Sequence, residues 1–166
     1  MKICLIPARG GSKRIPRKNI LDFCGKPMIA WSIESAKKSE CFDHIVVTTD
    51  DQEIADVARS FGAEVPFLRP AYLADDQAST QEVIIHALDW AVSQGWECEV
   101  LCCLYATAPF VQAQDLQQAQ KRLAESRLGT VVFAATSFPF PIQRAIHLDH
   151  DGYSRMFQPE YFSSRS

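Results

Sequence analysis

Residues 6–20, IPARGGSKRIPRKNI, bring together side chains that could bind an anion. Five cations surround an adjacent pair of glycines, with no acid among them: Arg9, Lys13, Arg14, Arg17 and Lys18. Arginine presents a fixed bidentate fork to a phosphate group, whereas lysine presents a mobile point charge. Glycines let the backbone approach a bound group closely and turn its N–H groups toward it. The segment therefore predicts a loop that binds a polyphosphate.

Two familiar phosphate-binding loops are excluded by the spacing of the glycines. Gly10 and Gly11 are adjacent, so the sequence lacks both the dinucleotide-binding pattern GxGxxG and the GxxxxGK[ST] pattern of kinases and GTPases. A run of solvated surface charges is the plainer alternative. Such a surface loop has no need for two glycines directly after a buried strand, which favours a ligand.

The basic loop is a local feature of an acidic protein. The chain has 17 lysines and arginines against 20 aspartates and glutamates, a net charge of −3. Without the five loop cations the balance is 12 against 20, or −8. A protein that binds nucleic acid usually carries a basic face of larger extent. The charge pattern argues against nucleic acid as a partner and favours a small phosphorylated ligand.

Length and composition predict one globular domain. The chain has 166 residues, of which 47% are hydrophobic and 22% charged, close to the average for globular proteins. We therefore expect a single domain over residues 1–166. The last 15 residues carry no signal that ends a helix or strand, so this domain is expected to be incomplete at its C-terminus.

Three features predict a cytoplasmic protein without a membrane partner. The apolar run in MKICLIPARGG is too short for a signal peptide and is followed by cations. No stretch approaches the roughly 18 apolar residues that a membrane helix needs. The six cysteines form no CxxC pair, which favours reduced thiols over disulfides or a zinc site.

Short apolar runs alternate along the chain with segments of helical periodicity. They predict the strands and helices around the basic loop. This alternation predicts an α/β fold with a Rossmann-like, doubly wound and mainly parallel sheet. Strands are expected at residues 3–6, 44–50, 99–106 and 129–135, with a Thr-Ala-Pro turn at 107–109 and an edge strand at 64–70. Helices are expected to begin near residues 27, 50, 79 and 115, and an Asp-Gly pair at 151 and 152 indicates a hairpin.

Short signals mark the ends of these elements. Asp50 and Asp51 follow a strand and open a helix, where an N-cap role is a better interpretation than a metal site. Gly62 is expected to close that helix in a left-handed conformation. Ser79 and Glu82 have the spacing of a capping box. Because a loop after the first strand lies at the carboxyl edge of such a sheet, the basic loop is expected where these folds bind ligands.

The same residues resemble a known family. LIPARGGSKRIPRKNI followed by GKPMIAWSI is similar to the nucleotide-binding signature of cytidylyltransferases that activate nonulosonic acids, the CMP-sialic acid synthetase family. Segments 46–70 and 73–80 match this family in order and spacing. LYATAP at 104–109 and FPFPIQRA at 138–145 resemble its pseudaminic acid branch. The resemblance implies a three-layer α/β/α fold of the nucleotide-diphospho-sugar transferase type.

The resemblance implies transfer of CMP from CTP to a nonulosonic acid, a nine-carbon sugar acid, with release of pyrophosphate. Pseudaminic acid is the expected acceptor, and N-acetylneuraminic acid is the first alternative. The others are an NTP:sugar-1-phosphate nucleotidyltransferase and a truncated chain that binds nucleotide without activity. The family also implies Mg²⁺ and a homodimer. Its metal-binding acids lie in a segment without a match in this chain, so the metal ligands are expected beyond residue 166.

The resemblance further implies roles for individual residues. The expected catalytic residues are Arg9, Lys18 and Asn19, the last two at the α-phosphate. The expected nucleotide-binding residues are Ala8, Arg9, Gly10, Gly11, Ser12, Lys13, Arg69, Ala78 and Thr80. Within that set, Lys13 is assigned to the β- and γ-phosphates and the last three residues to cytosine. The expected substrate-binding residues are Tyr105, Thr107, Phe140, Gln143 and Arg144, where Arg144 could pair with the sugar carboxylate.

Two positions depart from the family pattern. Sialic acid enzymes carry a glutamine that contacts the sugar where this chain has Tyr105, which predicts a different nonulosonic acid. Thr80 stands where other members have serine. Contact with the base and a role at the start of a helix account for Thr80 equally well.

Overall fold

The structure is a computed structural model of the chain and describes residues 1–75, 77–137, 143 and 145–162. These residues fall into two compact units, Met1–Thr130 and Val131–Ser166.

The first unit is built on a parallel sheet with strand β1 (Lys2–Pro7) at its centre. A short β2–β3 hairpin (Asp22–Phe23, Lys26–Pro27) follows the basic loop, and strands β4 (His44–Thr48) and β5 (Val100–Cys103) pair with β1 on its two sides. Ile3 lies opposite His44 in one ladder and Leu101 in the other. A strand covered on both faces is expected to be apolar throughout. Residues 3–6 of β1, ICLI, fit that expectation, and the parallel pairing of β1 with β4 and β5 confirms the predicted parallel sheet.

Helices cover both faces of this sheet and make three layers. The four helices are α1 (Met28–Ser39), α2 (Gln52–Ser60), α3 (Thr80–Ser93) and α4 (Ala113–Ala124). Cys4 and Ile6 of β1 share a buried cluster with residues of α1, α2 and α4, whereas Ile3 and Leu5 pack with α3. This division follows from the twofold alternation of side chains along a strand. The expected α/β/α architecture is confirmed.

The predicted edge strand at residues 64–70 forms only in part. Val46 bridges Glu64 and Thr49 bridges Leu68, both in parallel orientation, beside strand β4. Pro66 lies between these bridges and has no backbone N–H to donate, so a continuous ladder does not form. The segment is an edge element, as its prolines predicted.

Several predicted signals at element ends are confirmed, and the start of α4 is among those that are shifted. Asp51 is the N-cap of α2, where its carboxylate accepts a hydrogen bond from the Ile54 N–H at 3.0 Å. Ser79 and Glu82 form the capping box of α3. Gly62 has a φ of 89° just beyond α2. Helix α4 begins at Ala113, two residues before the predicted start at Asp115.

The predicted strand at residues 129–135 is wrong. No described residue pairs with this segment, and Val131 and Phe133 are 79% and 80% exposed. Valine and phenylalanine favour strands only where a partner strand and a buried face receive them. Composition alone therefore gave the wrong prediction here.

The second unit contains an antiparallel hairpin of β6 (Ile146–Leu148) and β7 (Ser154–Met156). Its turn holds Gly152 at a φ of 83°, and the Asp149 carboxylate accepts the Tyr153 N–H at 2.9 Å. The Asp-Gly hairpin prediction is confirmed. A short 3-10 helix, Pro159–Tyr161, follows. Within the described part of the chain, every helix is too short or too polar to cross a lipid bilayer.

Candidate active site

A cleft of about 790 Å³ opens at the carboxyl edge of the sheet in the first unit. Three segments form its walls: the basic loop after β1, residues 69–80, and the turn after β5. The lining residues are Pro7, Arg9, Ser12, Lys13, Arg14, Ile15, Lys18, Asn19, Arg69, Leu73, Asp75, Ala78, Thr80, Val83, Tyr105, Ala106 and Thr107. This edge is where doubly wound sheets bind their ligands.

The basic loop is closed by backbone contacts at both of its ends. Ala8 donates its N–H to the Thr48 carbonyl at 3.0 Å, and Gly10 donates to the Asp50 carboxylate at 2.9 Å. At the other end, the buried Asn19 amide donates to the Arg9 carbonyl at 2.8 Å. The loop thus returns on itself and keeps four of its five cationic side chains at the cleft.

The two glycines of the loop serve different purposes. A Cβ atom at Gly10 would lie 2.9 Å from the Asp51 Oδ2 atom and 3.0 Å from its Cβ, so a side chain there requires a rearrangement. A Cβ atom at Gly11 would meet no heavy atom within 4 Å. Gly10 therefore permits close packing against the start of α2, and Gly11 leaves its side of the loop open.

Four of the five loop cations line the cleft: Arg9, Lys13, Arg14 and Lys18. Arg9 also donates from Nη1 to the Asp75 carbonyl at 2.8 Å, which joins the basic loop to the second wall. Arg17 points elsewhere, and its guanidinium pairs with Asp51 and Glu53. Four cations facing one cavity form a site suited to a polyphosphate.

Arg69 fixes the second wall of the cleft. Its side chain is buried and donates to the Thr48 hydroxyl at 3.3 Å, the Thr48 carbonyl at 2.6 Å and the Leu73 carbonyl at 3.1 Å. Burial lowers the pKa of the Arg69 guanidinium, with the Asp50 carboxylate acting in the opposite direction and Arg9 in the same one. An arginine stays charged at neutral pH despite such a shift. Arg69 thus adds a positive charge to the cleft while it ties residues 69–73 to β4.

The third wall reaches across to the second. The Tyr105 hydroxyl lies 3.1 Å from the Thr80 hydroxyl, and the buried Ser32 of α1 donates to the Tyr105 carbonyl at 2.9 Å. Tyr105 remains 55% exposed on the cleft side. A phenol held by its backbone and by its hydroxyl presents a fixed polar and aromatic face to a ligand.

The structure brings most of the sequence-predicted site residues into one cleft. The predicted residues that line it are Arg9, Ser12, Lys13, Lys18, Asn19, Arg69, Ala78, Thr80, Tyr105 and Thr107. Ala8, Gly10 and Gly11 lie in the same loop, but the structure does not place them among the lining residues, and Ala8 is buried below the surface. Gln143 is an exposed residue of the second unit. Phe140 and Arg144 lie outside the described residues.

Sequence reasoning missed several lining residues. Arg14 lies in the basic loop and Asp75 in the segment 73–80, both of which contain predicted site residues. Their closeness in sequence to those residues could have identified them. Leu73 and Val83 are apolar residues whose pattern indicates only burial. Their place in the cleft depends on how residues 69–80 fold back onto β4.

The acidic residues beside the basic loop and the cleft accept hydrogen bonds from backbone N–H groups. No group of three or more histidine, cysteine, aspartate or glutamate side chains is arranged to hold a cation in the described part of the chain. Asp50 accepts the Gly10 N–H, Asp51 caps α2, and the Asp75 carboxylate accepts the N–H groups of Gln77 and Ala78. These three carboxylates therefore accept hydrogen bonds from backbone N–H groups, which supports the N-cap interpretation of Asp51 over a metal site.

The Asp51 carboxylate gives the protein a defined acid sensitivity. Arg17 holds the pKa of Asp51 below its ordinary value near 3.8, and the Ile54 N–H lowers it further. A carboxylate with a depressed folded-state pKa stabilises the fold fully above its unfolded-state pKa and loses this contribution as the pH falls through the folded-state value. We expect Asp51→Asn, which can still cap the helix, to be less stable than the wild type at neutral pH.

This difference should shrink as the pH falls below about 4, because Asp51 then binds a proton in the unfolded chain before it does so in the folded protein. Urea unfolding of both proteins between about pH 7 and 2.5 measures it. A stability difference that stays constant over this range would contradict the assignment.

The fold and the cleft together define a nucleotidyltransferase of the α/β class, and comparison with known proteins identifies the family. The family model described as Cytidylyltransferase matches residues 3–141. Two pseudaminic acid cytidylyltransferases of Campylobacter jejuni, serotypes O:2 and O:23/36, are 47% and 48% identical over 164 residues. That alignment covers 99% of this chain and 70% of each relative. The chain belongs to the cytidylyltransferase family, as the sequence predicted.

A solved structure supports the same conclusion. The CMP:2-keto-3-deoxy-manno-octonic acid synthetase complexed with CTP superposes with a TM-score of 0.61 at 25% sequence identity. The match covers 75% of this chain and 47% of that protein. The shared fold is that of a nucleotidyltransferase.

Proposed function

We propose that this chain transfers CMP from CTP to pseudaminic acid and releases pyrophosphate. The observation that carries the proposal is the cleft that four cations of one loop line together with the hydroxyl groups of Tyr105 and Thr80. The cations suit a triphosphate, and the opposite wall has polar groups that suit a sugar. Two relatives that are 47% and 48% identical bear the name pseudaminic acid cytidylyltransferase, which supports the choice of acceptor.

The proposed reaction is an in-line displacement at the α-phosphorus of CTP. The anomeric hydroxyl of the sugar acid forms a new bond to this phosphorus and loses its proton to solvent water. The bond between the α-phosphorus and the bridging oxygen breaks, and pyrophosphate leaves with that bonding pair. Negative charge grows on the bridging oxygen and the phosphate, so fixed positive charges accelerate the step more than they tighten substrate binding.

The proposed roles of the loop residues follow from their places on the cleft. Lys18 stabilises the α-phosphate, and Arg9, Ser12 and Lys13 hold the β- and γ-phosphates. Asn19 lies next to Lys18, and its side-chain amide donates to the Arg9 carbonyl. We therefore propose that Asn19 maintains the conformation of the loop around the α-phosphate. Gly10, whose N–H is held by Asp50, and Gly11 let the nucleotide approach the backbone of the loop, and Ala8 anchors its start.

We propose that cytosine lies near Arg69, Ala78 and Thr80. The Ala78 N–H is held by the Asp75 carboxylate at 2.8 Å, which fixes the backbone of this segment. We assign Tyr105 and Thr107 to the acceptor, together with Phe140, Gln143 and Arg144 of the segment 138–145.

Three further features are part of the proposal. Mg²⁺ enters with CTP as the magnesium complex, because a triphosphate needs a cation to screen its charge. The protein works as a homodimer in the cytoplasm. Its six cysteines, all within the described residues, are free thiols, which supports a reducing compartment.

Nucleotide selection and product identity test the function. We expect titration calorimetry to show that CTP binds at least about tenfold more tightly than UTP or ATP, since residues 69–80 would discriminate the base. With CTP labelled at the α-phosphate, pseudaminic acid and Mg²⁺, the label should appear in a CMP-sugar. Tighter binding of UTP or ATP, or label found only in CMP, would contradict the proposal.

Replacing Tyr105 should affect use of the acceptor far more than binding of CTP. Tyr105→Gln removes the aromatic face and the hydroxyl contact to Thr80, so we expect kcat/KM for pseudaminic acid to fall about tenfold or more. The KM for CTP should stay within about threefold, because the loop cations are untouched. Steady-state kinetics with each substrate varied separately measures both effects.

Tyr72→Gln is the matched control for this variant. Tyr72 is 71% exposed on the 3-10 helix Ala71–Leu73 and does not line the cleft, so its replacement should leave both constants unchanged. Equal losses in the two variants, or an unchanged kcat/KM for pseudaminic acid in Tyr105→Gln, would refute the role of Tyr105.

A further inference from the structure

Arg17 is the basic-loop cation that does not line the cleft. Its guanidinium donates from Nη2 to the Asp51 Oδ1 atom at 3.0 Å and from Nη1 to the Asp51 Oδ2 atom, and it also pairs with Glu53. Asp51 is 21% exposed, whereas Glu53 is 68% exposed. The bidentate pair with Asp51 is therefore the better shielded of the two contacts.

The backbone of Arg17 is held in an unusual conformation. Its φ is 56°, in the left-handed region that residues with a side chain rarely adopt. The Arg17 carbonyl accepts the N–H groups of Ile20 and Leu21, each at 3.0 Å. A disfavoured backbone conformation persists only where its surroundings hold it in place. Here the ion pair on one side and the two hydrogen bonds on the other provide that support.

The turn at Arg17 sets the places of the next two residues. Lys18 and Asn19 lie in the chain between Arg17 and the two residues, Ile20 and Leu21, whose N–H groups the Arg17 carbonyl accepts. Both Lys18 and Asn19 line the cleft. Asn19 accepts the Ile29 N–H at 2.8 Å on its carbonyl and reaches back to Arg9 with its amide. A shift of Arg17 would therefore move Lys18 and Asn19 together.

The partner of Arg17 is itself fixed. Asp51 caps α2 through the Ile54 N–H, and its carboxylate lies directly against Gly10 at the opposite end of the loop. One carboxylate thus pairs with Arg17 at one end of the basic loop and leaves no room for a side chain at Gly10 at the other. The pKa shifts of the two side chains agree with a tight pair. The hydrogen bond to Asp51 is the largest cause of the raised pKa of Arg17, and the hydrogen bond from Arg17 is the largest cause of the lowered pKa of Asp51.

From this geometry we infer that Arg17 is a positioning residue, which clamps the end of the basic loop to the N-terminus of α2 and so holds Lys18 at the α-phosphate. This inference rests on the proposed cytidylyl transfer. It separates the five cations into four that face the nucleotide and one that holds the loop in shape.

The most informative variant is Arg17→Gly. Glycine adopts a positive φ without strain, so the turn stays possible while the clamp is lost. We expect kcat to fall about 10- to 100-fold, because a small misplacement of a group that acts at the reacting atom has an effect of this size. The KM for CTP should change less than about threefold, since the other cleft cations remain. Arg17→Lys keeps one contact to Asp51 and should recover much of the loss.

Two controls separate positioning from stability. Glu53→Gln removes the exposed partner, and Arg122→Ala removes an exposed arginine in the last turn of α4. Both should keep kcat within about twofold. Each variant is assayed well below its own melting temperature, where a variant that is merely less stable has full activity. A normal kcat for Arg17→Gly under these conditions would overturn the inference.

A second readout does not depend on activity. Amide hydrogen exchange over residues 9–21 should accelerate at least about tenfold in Arg17→Gly, while residues 54–60 of α2 keep their protection. If the wild type turned over no substrate, the proposed function would fail, and hydrogen exchange alone would then decide whether Arg17 holds the loop. Unchanged exchange over residues 9–21 would overturn the inference in either case.

Discussion

Lys18→Ala should lower kcat for CMP transfer by about 10²- to 10³-fold, the loss that follows removal of one fixed group from a developing charge. Lys18 lines the cleft on the loop that Asn19 and Arg9 hold closed. The charge on the α-phosphate grows as the reaction proceeds, so the ammonium group stabilises the transition state more than bound CTP. Affinity for CTP should therefore fall by less than about tenfold.

Two variants make the Lys18 test specific. Lys18→Arg keeps the charge but changes its geometry and should recover part of the activity. Lys121→Ala removes a lysine from the last turn of α4, outside the cleft, and should behave as the wild type. Single-turnover rates and CTP titrations give the two constants separately. A kcat within about threefold of the wild type for Lys18→Ala would show that Lys18 does not act on the reacting phosphate.

Arg69→Met should destabilise the first unit by about 3 kcal/mol, the range expected when a buried charged donor is lost and its acceptors stay buried. Methionine retains much of the length of the apolar stem, so the change removes mainly the three hydrogen bonds to Thr48 and Leu73. The melting temperature should fall by about 6–12 °C. CTP affinity should fall as well, because residues 69–73 then lose their attachment to β4.

Arg122→Met, an exposed substitution on α4, is the matched control and should change the melting temperature by less than about 2 °C. Thermal unfolding followed by circular dichroism measures both variants. An unchanged melting temperature for Arg69→Met would mean that the hydrogen bonds of Arg69 add nothing to the stability of the cleft wall.

Local sequence signals were sufficient wherever neighbours along the chain make the contact. The capping box at Ser79 and Glu82, the N-cap at Asp51 and the Asp-Gly hairpin each involve residues within a few positions. The apolar run of β1 followed by glycines and cations likewise placed the binding loop at the edge of a parallel sheet. In these cases the residue types themselves determine the local conformation.

Contacts between distant residues could not be predicted in the same way. Nothing in their spacing indicates that Tyr105 meets Thr80, or that Arg17 turns from the other loop cations toward Asp51. Both contacts depend on how separate segments meet at the edge of the sheet. The predicted strand at 129–135 failed for the same reason, because a strand needs a partner that its own sequence does not encode.

The proposed function is tested most directly by pyrophosphate release from CTP and Mg²⁺ by this chain, with pseudaminic acid and N-acetylneuraminic acid supplied in parallel reactions. We predict rapid release with pseudaminic acid and at least about tenfold slower release with N-acetylneuraminic acid. Faster release with N-acetylneuraminic acid would contradict the assigned acceptor. The absence of release with either acid, with CTP bound normally, would contradict the assignment of catalysis to this chain.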